Sequence, residues 1–421
     1  MKPRDTRSFV GKMYGSLFDG TFVKRFLRHL WRIRALRYPV ESVMRLFMPV
    51  RRDTVVFATF SGTFGCNPRY IAEELVRRRT GLKVKWLSGE ASLASWKGPK
   101  PEGIEFIPVW SARSFVTALT ACAWIENAQM FLLNGMPRKR RGQYYLDTWH
   151  GSLGIKRLGS ASEKTRERAE KASRAVDAVL TNSTFEDTVL ADSVLRGVPM
   201  LRYGHPRNDI FFRSQPELKA VRARVFETIG LPPDRRLALY APTFRAEGFF
   251  AAAGRLDFAS WAAALSERFG GEWTVAVRLH PHDAKAMAEG LYALPSGLTD
   301  VSSYGDIQEL LVAADAGITD YSSWIFDYLL SGKPGFIFAP DKSEYDRTRG
   351  FYYPLEETPF PVATDEVGLN ANIRSFDEAA YAGRMREFLA ARGCMEDGQA
   401  AVRAVDLLLE KIGIAANGAE R

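Results

Sequence analysis

The sequence predicts an α/β protein of two Rossmann-like domains facing across a cleft, preceded by a basic amphipathic helical segment. Three observations carry this prediction. A length of 421 residues exceeds what one hydrophobic core supports, and 46% hydrophobic with 25% charged residues is a globular balance. Short apolar runs alternate with amphipathic helical stretches in two successive series, which is the pattern of parallel sheets covered by helices. The basic residues crowd at one end. Residues 1–52 hold thirteen Lys and Arg against three acids, an excess of +10 within a chain whose formal net charge is +9. The body is therefore near neutral, which argues against a nucleic-acid-binding surface.

In chain order, Thr21 to Leu36 places Phe22, Val23, Phe26, Leu27, Leu30 and Trp31 on one side of a helical wheel and Lys24, Arg25, Arg28 and Arg32 on the other. That arrangement suits an anionic membrane surface. A strand at Thr54 to Phe60, a helix at Arg69 to Arg79 and a strand at Lys83 to Leu87 form a βαβ opening whose turn lacks the dinucleotide glycine spacing. Further signals run through Gly103 to Val109, Ser114 to Ala123 and Gly142 to Trp149. The charged run Ser162 to Arg174 reads as an exposed helix before the strand Ala178 to Thr181. Gln215 to Arg236 connects the halves. The second series comprises strands Leu237 to Tyr240, Trp273 to Leu279, Ala316 to Ile318 and Gly335 to Ile337. Helices Phe258 to Phe269, Ala284 to Gly290 and Ile307 to Ala314 alternate with them, and two helices, Phe376 to Arg392 and Gly398 to Ile412, close the chain. These signals divide the chain at 1–52, 53–225, 226–395 and 396–421. Three cysteines, far apart and without metal spacing, fit a reducing compartment. With no apolar run of 18 residues and no signal-type segment, the chain is expected to be neither exported nor membrane-spanning.

The stretch Gly317 to Pro334 passes from an apolar strand through Asp320, Ser322 and Ser323 into a helix. Hydroxyls and free backbone N–H groups at a helix start can hold phosphate oxygens, although Asp and Ser are also ordinary caps. Four other segments place polar groups just past an apolar run, where open α/β sheets collect ligands. They are Tyr145-Leu-Asp-Thr-Trp-His-Gly151, Tyr203-Gly-His-Pro-Arg-Asn-Asp209, Leu239-Tyr-Ala-Pro-Thr-Phe-Arg245 and Val277-Arg-Leu-His-Pro-His-Asp283. With Gly65-Cys-Asn-Pro-Arg69 and Asp397-Gly-Gln-Ala-Ala, their order and spacing resemble the CDP-glycerol glycerophosphotransferase family, which builds teichoic-acid and capsule polymers.

The resemblance implies a GT-B architecture and a CDP-polyol donor, with CDP-glycerol favoured. An acceptor hydroxyl on a polyol phosphate or lipid-linked glycan would attack the polyol-bearing phosphate and release CMP. Such chemistry needs a base, positive charge and in-line geometry. His150 matches the family histidine on the acceptor side and is assigned as base; His280 matches the donor-side histidine and is assigned to the phosphates. Gly151, Ser152 and Lys156 belong to a segment reading Gly-Ser-Leu-Gly-Ile-Lys where the family has Thr-Pro-Leu-Lys. Arg207, Thr243, Arg245, Arg278, Asp320, Ser322 and Ser323 complete the expected substrate-binding set. An ion pair of Arg207 with Asp209, setting the interdomain loop, is the alternative for those two, and His205 and His282 are read as structural. No carboxylate cluster has metal spacing and no cofactor is expected, so hydroxyls, arginines and a helix terminus would meet the phosphate charge. Two competing readings are a GT-B glycosyltransferase using a nucleotide sugar such as CMP-sialic acid and a membrane-bound binding protein without catalysis.

Overall fold

A computed structural model describes residues 34–60, 62–89, 101–132, 136–158, 163–243, 256–279, 283–284, 287, 289, 294–295 and 297–414. The predicted basic helix at 21–36 lies outside them except for its last three residues. Among the described residues, thirteen strands form two sheets, and every pairing is parallel.

The first sheet comprises β1 (Arg51–Ala58), β2 (Lys83–Ser88), β3 (Ile104–Pro108), β4 (Ala121–Glu126), β5 (Tyr144–Asp147), β6 (Ala178–Thr181) and β7 (Met200–Arg202), in the order β3-β2-β1-β4-β5-β6-β7. Period-two alternation divides its core. Val55 and Phe57 face the helix Cys66–Arg77, while Val56 and Ala58 share a cluster with Trp124, Tyr145 and the helices of residues 112–120, 163–175 and 184–191.

The second sheet has β8 (Arg236–Tyr240), β9 (Trp273–Val277), β10 (Leu298–Asp300), β11 (Ala316–Thr319), β12 (Gly335–Phe338) and β13 (Val362–Ala363), in the order β10-β9-β8-β11-β12-β13. Strand order therefore reverses between β1 and β4 in one sheet and between β8 and β11 in the other. Loops at the C-terminal ends of such strands diverge and leave a crevice.

Two helices pack away from their place in the sequence. Val221, Val225 and Phe226 of Gln215–Ile229 belong to the core of the second sheet, so the expected boundary at 225/226 falls inside a helix. Ala404, Val405, Leu408 and Leu409 of the last helix, Ala400–Ile412, return to the first sheet beside Val55 and Ile71. Each of these helices thus marks a crossing between the units. At the first crossing Asp209, expected opposite Arg207, instead caps that last helix by accepting from the backbone N–H groups of Ala400 and Ala401 at 3.0 and 2.7 Å.

Ahead of β1, the helix Arg34–Phe47 is pinned by Glu41, which is fully buried and bonded to Arg45 and to the Arg138 backbone. Its outward face shows Val40, Val43, Leu46 and Phe47 to solvent. No helix among the described residues is long and apolar enough to cross a membrane.

Candidate active site

The site forms where the two crevices meet. β5 ends at Asp147, whose carboxylate accepts the Trp149 N–H at 2.8 Å and holds that residue in a left-handed turn at φ 55°. A side chain at the next position cannot follow: a β-carbon on Gly151 would lie 2.4 Å from the Trp149 indole nitrogen. The turn brings out His150, exposed, with Nδ1 2.6 Å from the carbonyl oxygen of Asn127 at the end of β4. A carbonyl can only accept, so Nδ1 carries the proton and Nε2 carries the lone pair. This tautomer suits a general base.

The residues after His150 leave their own domain. Leu153 and Ile155 are buried in the core of the second sheet. The Tyr352 N–H donates to the Ile155 carbonyl at 2.7 Å, the Arg157 N–H to the Gly350 carbonyl at 3.1 Å, and Lys156 forms an antiparallel bridge with Phe351. The Tyr353 hydroxyl donates to the Leu153 carbonyl. Gly154 is pressed against the turn after β11, since a β-carbon there would lie 3.1 Å from that of Ser323. Glycine is accommodated at this contact without displacing the neighbour.

On the second sheet, Asp320 follows β11 and is buried. One of its carboxylate oxygens accepts the backbone N–H groups of Thr243 and Tyr321 at 2.8 and 2.5 Å. Its role is to join the ends of β8 and β11. The helix beyond is Trp324–Tyr328, five residues with no side-chain cap, continued by a single 3-10 turn. The expected dipole is correspondingly small, because the macrodipole grows from aligned peptides. Ser322 and Ser323 are half-buried and make no side-chain hydrogen bond among the described residues, which leaves their hydroxyls for a ligand. Arg278 gives one hydrogen bond, 2.7 Å to the Tyr304 carbonyl, and burial lowers its affinity for its proton. Asp306 and Asp300 lie near enough to oppose that shift, and a guanidinium fork of this kind suits phosphate oxygens. His280 and Arg245 lie outside the described residues.

Arg207 departs from the expected pattern. It is buried, and its Nε donates to Asp327 Oδ2 at 2.8 Å, its Nη2 to Asp327 Oδ1 at 3.3 Å and to the Gly151 carbonyl, and its Nη1 to Cys66 Sγ at 3.5 Å. These bonds make it a strut between the halves. Burial alone would raise the Asp327 carboxyl, but Arg207 overrides it and holds that carboxyl below its ordinary value. Asn67 works beside it: its amide donates to the Thr148 and Trp149 carbonyls at 2.7 and 3.1 Å, and its oxygen accepts the Arg207 N–H at 3.1 Å. Arg69 adds a second strut, from Glu73 in its own helix to Asp306 and Glu309 in the second domain at 2.7 and 2.9 Å. Ser152 faces this framework, with Oγ accepting from Asn182 at 3.3 Å. His205 is fully buried, Nε2 2.9 Å from Glu186, consistent with its structural reading.

Sequence reasoning did not single out Asn127 or Asp327. Nothing marks Asn127, since a backbone carbonyl has no signature, whereas the position of Asp327 in the first helical turn of the motif Gly317 to Pro334 was available as a signal.

Comparison with known proteins agrees with this geometry. Residues 41–410 match the family described as CDP-Glycerol:Poly(glycerophosphate) glycerophosphotransferase. The chain is 30% identical over 352 residues to the teichoic acid poly(glycerol phosphate) polymerase of Bacillus subtilis (strain 168), covering 79% of this chain and 45% of that protein. It is 26% identical to the teichoic acid glycerol-phosphate transferase of Staphylococcus aureus (strain NCTC 8325 / PS 47), covering 71% of this chain and 79% of that one. With a second polymerase, from Staphylococcus epidermidis, the coverage is 86% of this chain and 51% of the relative, so the chain spans about half the length of these polymerases. A solved structure of the wall teichoic acid polymerase TagF superimposes with a TM-score of 0.75 at 25% identity, over 93% of this chain and 98% of that one. The two parallel-sheet domains are thus an architecture shared with that structure, and the chain belongs to the CDP-glycerol:poly(glycerophosphate) glycerophosphotransferase family.

Proposed function

We propose that the protein transfers a polyol phosphate, glycerol phosphate in the first instance, from a CDP-polyol to a hydroxyl of a polyol-phosphate or lipid-linked glycan acceptor, releasing CMP, in the synthesis of a teichoic-acid-like or capsule polymer. The observation that carries this reading is the contact of Gly154 with Ser323, which sets the His150 turn against the hydroxyls of Ser322 and Ser323, free of side-chain hydrogen bonds among the described residues. A base and a phosphate cradle then share one site. The acceptor oxygen bonds to the β-phosphorus of the donor while the bond from that phosphorus to the bridging oxygen breaks. The acceptor proton passes to Nε2 of His150, and CMP departs with the bridging oxygen. Ser322, Ser323 and Arg278 hold the donor phosphates, joined by His280 and Arg245 and by Thr243 at the end of β8. Gly151, Ser152 and Lys156 line the acceptor approach, while Arg207 and Asp320 act by holding the frame. The first domain is the acceptor side and the second the donor side.

The enzyme works at the cytoplasmic face of an anionic membrane. Support comes from the basic excess of residues 1–52 and from Val40, Val43, Leu46 and Phe47, which share the outward arc of the helix Arg34–Phe47.

Replacing His150 by Ala tests the core of the proposal. Calorimetric titration with CDP-glycerol should be nearly unchanged, while the single-turnover transfer rate falls by about 10² to 10⁴. Transfer at the wild-type rate would remove His150 from the mechanism, and a product that gains a sugar by mass would replace phosphate transfer with glycosyl transfer.

A further inference from the structure

Phe60 presents an anomaly beside the base. It follows β1 at the point where strand order reverses, and its side chain is 65% exposed. Of the other large exposed apolar residues, Val40, Val43, Leu46, Phe47 and Val367 lie on helices, and Phe212 and Met395 lie in a 3-10 segment and in the connection before the last helix. Phe60 is nevertheless held in place. Its N–H donates to Asn127 Oδ1 at 2.9 Å, and the carbonyl of the same asparagine is the partner of His150 Nδ1 at 2.6 Å. Asn127 is buried, so one rigid residue mounts both groups. The Phe60 and His150 rings lie 15° from parallel with centroids 6.2 Å apart, and Trp149 lies across the same imidazole at 4.6 Å, tilted by 38°.

We propose that Phe60 is a specificity-determining residue of the acceptor subsite, an apolar platform for the terminal polyol unit whose hydroxyl His150 deprotonates. The inference rests on the function proposed above. A hydroxyl attacking the donor must come within about 2.6–3.2 Å of the base. The carbon chain bearing it then lies alongside the ring stacked on that base. A polyol chain offers a face of C–H groups, which gains dispersion and sheds water against an aromatic ring. The donor diphosphate gains nothing from such a surface. Asn127 is the positioning residue that keeps ring and base in one register.

The test uses the full chain, saturating CDP-glycerol and a synthetic tri(glycerol phosphate) with a free terminal glycerol as acceptor. Phe60→Ala should raise the acceptor KM about three- to tenfold, the range of a ring contact, with kcat and the CDP-glycerol Kd unchanged. Phe60→Trp should stay within about twofold of wild type. An unchanged acceptor KM in Phe60→Ala overturns the platform alone, as does a KM that rises together with the donor Kd. A wild type that consumes CDP-glycerol without extending the trimer overturns the polyol occupant. A wild type that neither binds nor consumes CDP-glycerol overturns the proposed function and the platform with it.

Discussion

Replacing Arg207 by Met removes the guanidinium buried between the two domains, and its contacts set the size of the effect. Asp327 loses its counter-ion and two charge-assisted hydrogen bonds, but it keeps the amides of Asn208 at 3.1 Å and Gln308 at 3.2 Å. Removing one partner of a buried ion pair costs about 3–5 kcal/mol, because the other charge is left uncompensated. Two surviving donors place the expectation at the lower end, about 3 kcal/mol. The pH dependence has a definite sign. In the wild type the Asp327 carboxyl is held low, so its contribution is present at neutral pH and is lost as pH falls through that lowered value. Without Arg207, burial raises the same carboxyl. The variant then gains by protonation as pH falls, and its deficit against wild type narrows. Urea unfolding followed by tryptophan fluorescence at pH 7 and pH 5 measures this for wild type, Arg207→Met and Arg207→Met/Asp327→Asn. The double variant should recover part of the loss at pH 7. A deficit below about 1 kcal/mol, no relief from Asp327→Asn, or a gap that widens at pH 5 would refute the account of Arg207 as a buried strut. A stable Arg207→Met protein that no longer binds CDP-glycerol would return Arg207 to the phosphate-binding role expected from the sequence.

Two further outcomes are expected. Replacing Ser322 and Ser323 by Ala removes two hydroxyls with no other partner among the described residues, so CDP-glycerol affinity should fall by about 1 kcal/mol per lost hydrogen bond without loss of stability; an unchanged calorimetric Kd would reduce the turn to a structural role. Replacing Leu46 and Phe47, each 80% exposed, by Glu should abolish sedimentation of the protein with phosphatidylglycerol vesicles while leaving the fold intact, and equal sedimentation of variant and wild type would exclude this face from membrane contact.

Much of this protein is local in origin and therefore readable from the chain. A strand buried on both faces must be a short apolar run, which is why Ala178–Thr181 and Trp273–Val277 stand out, and helix Phe258–Phe269 has a 3.6-residue stripe and an Asp257 cap. His150 was legible because a motif at a strand end is contiguous. The edge strands β7, β10 and β13, of three, three and two residues, are too short to show a period. Other features depend on where distant parts of the chain meet. The partner of Arg207 is Asp327, 120 positions away, and not its neighbour Asp209, whose carboxylate is taken by a helix start 191 positions on. Leu153 and Ile155 read as an ordinary apolar pair, yet they fill the other domain's core; the helix Ala400–Ile412 reads as an ordinary amphipath, yet it returns to the first sheet. A hydrophobic stripe specifies that a face will be buried and carries no address for the surface that buries it, and a charge likewise has no sequence mark for its counter-ion. The sequence therefore determined the two parallel sheets and the polar groups at their ends, whereas only the tertiary structure decided which of those groups became struts between the units.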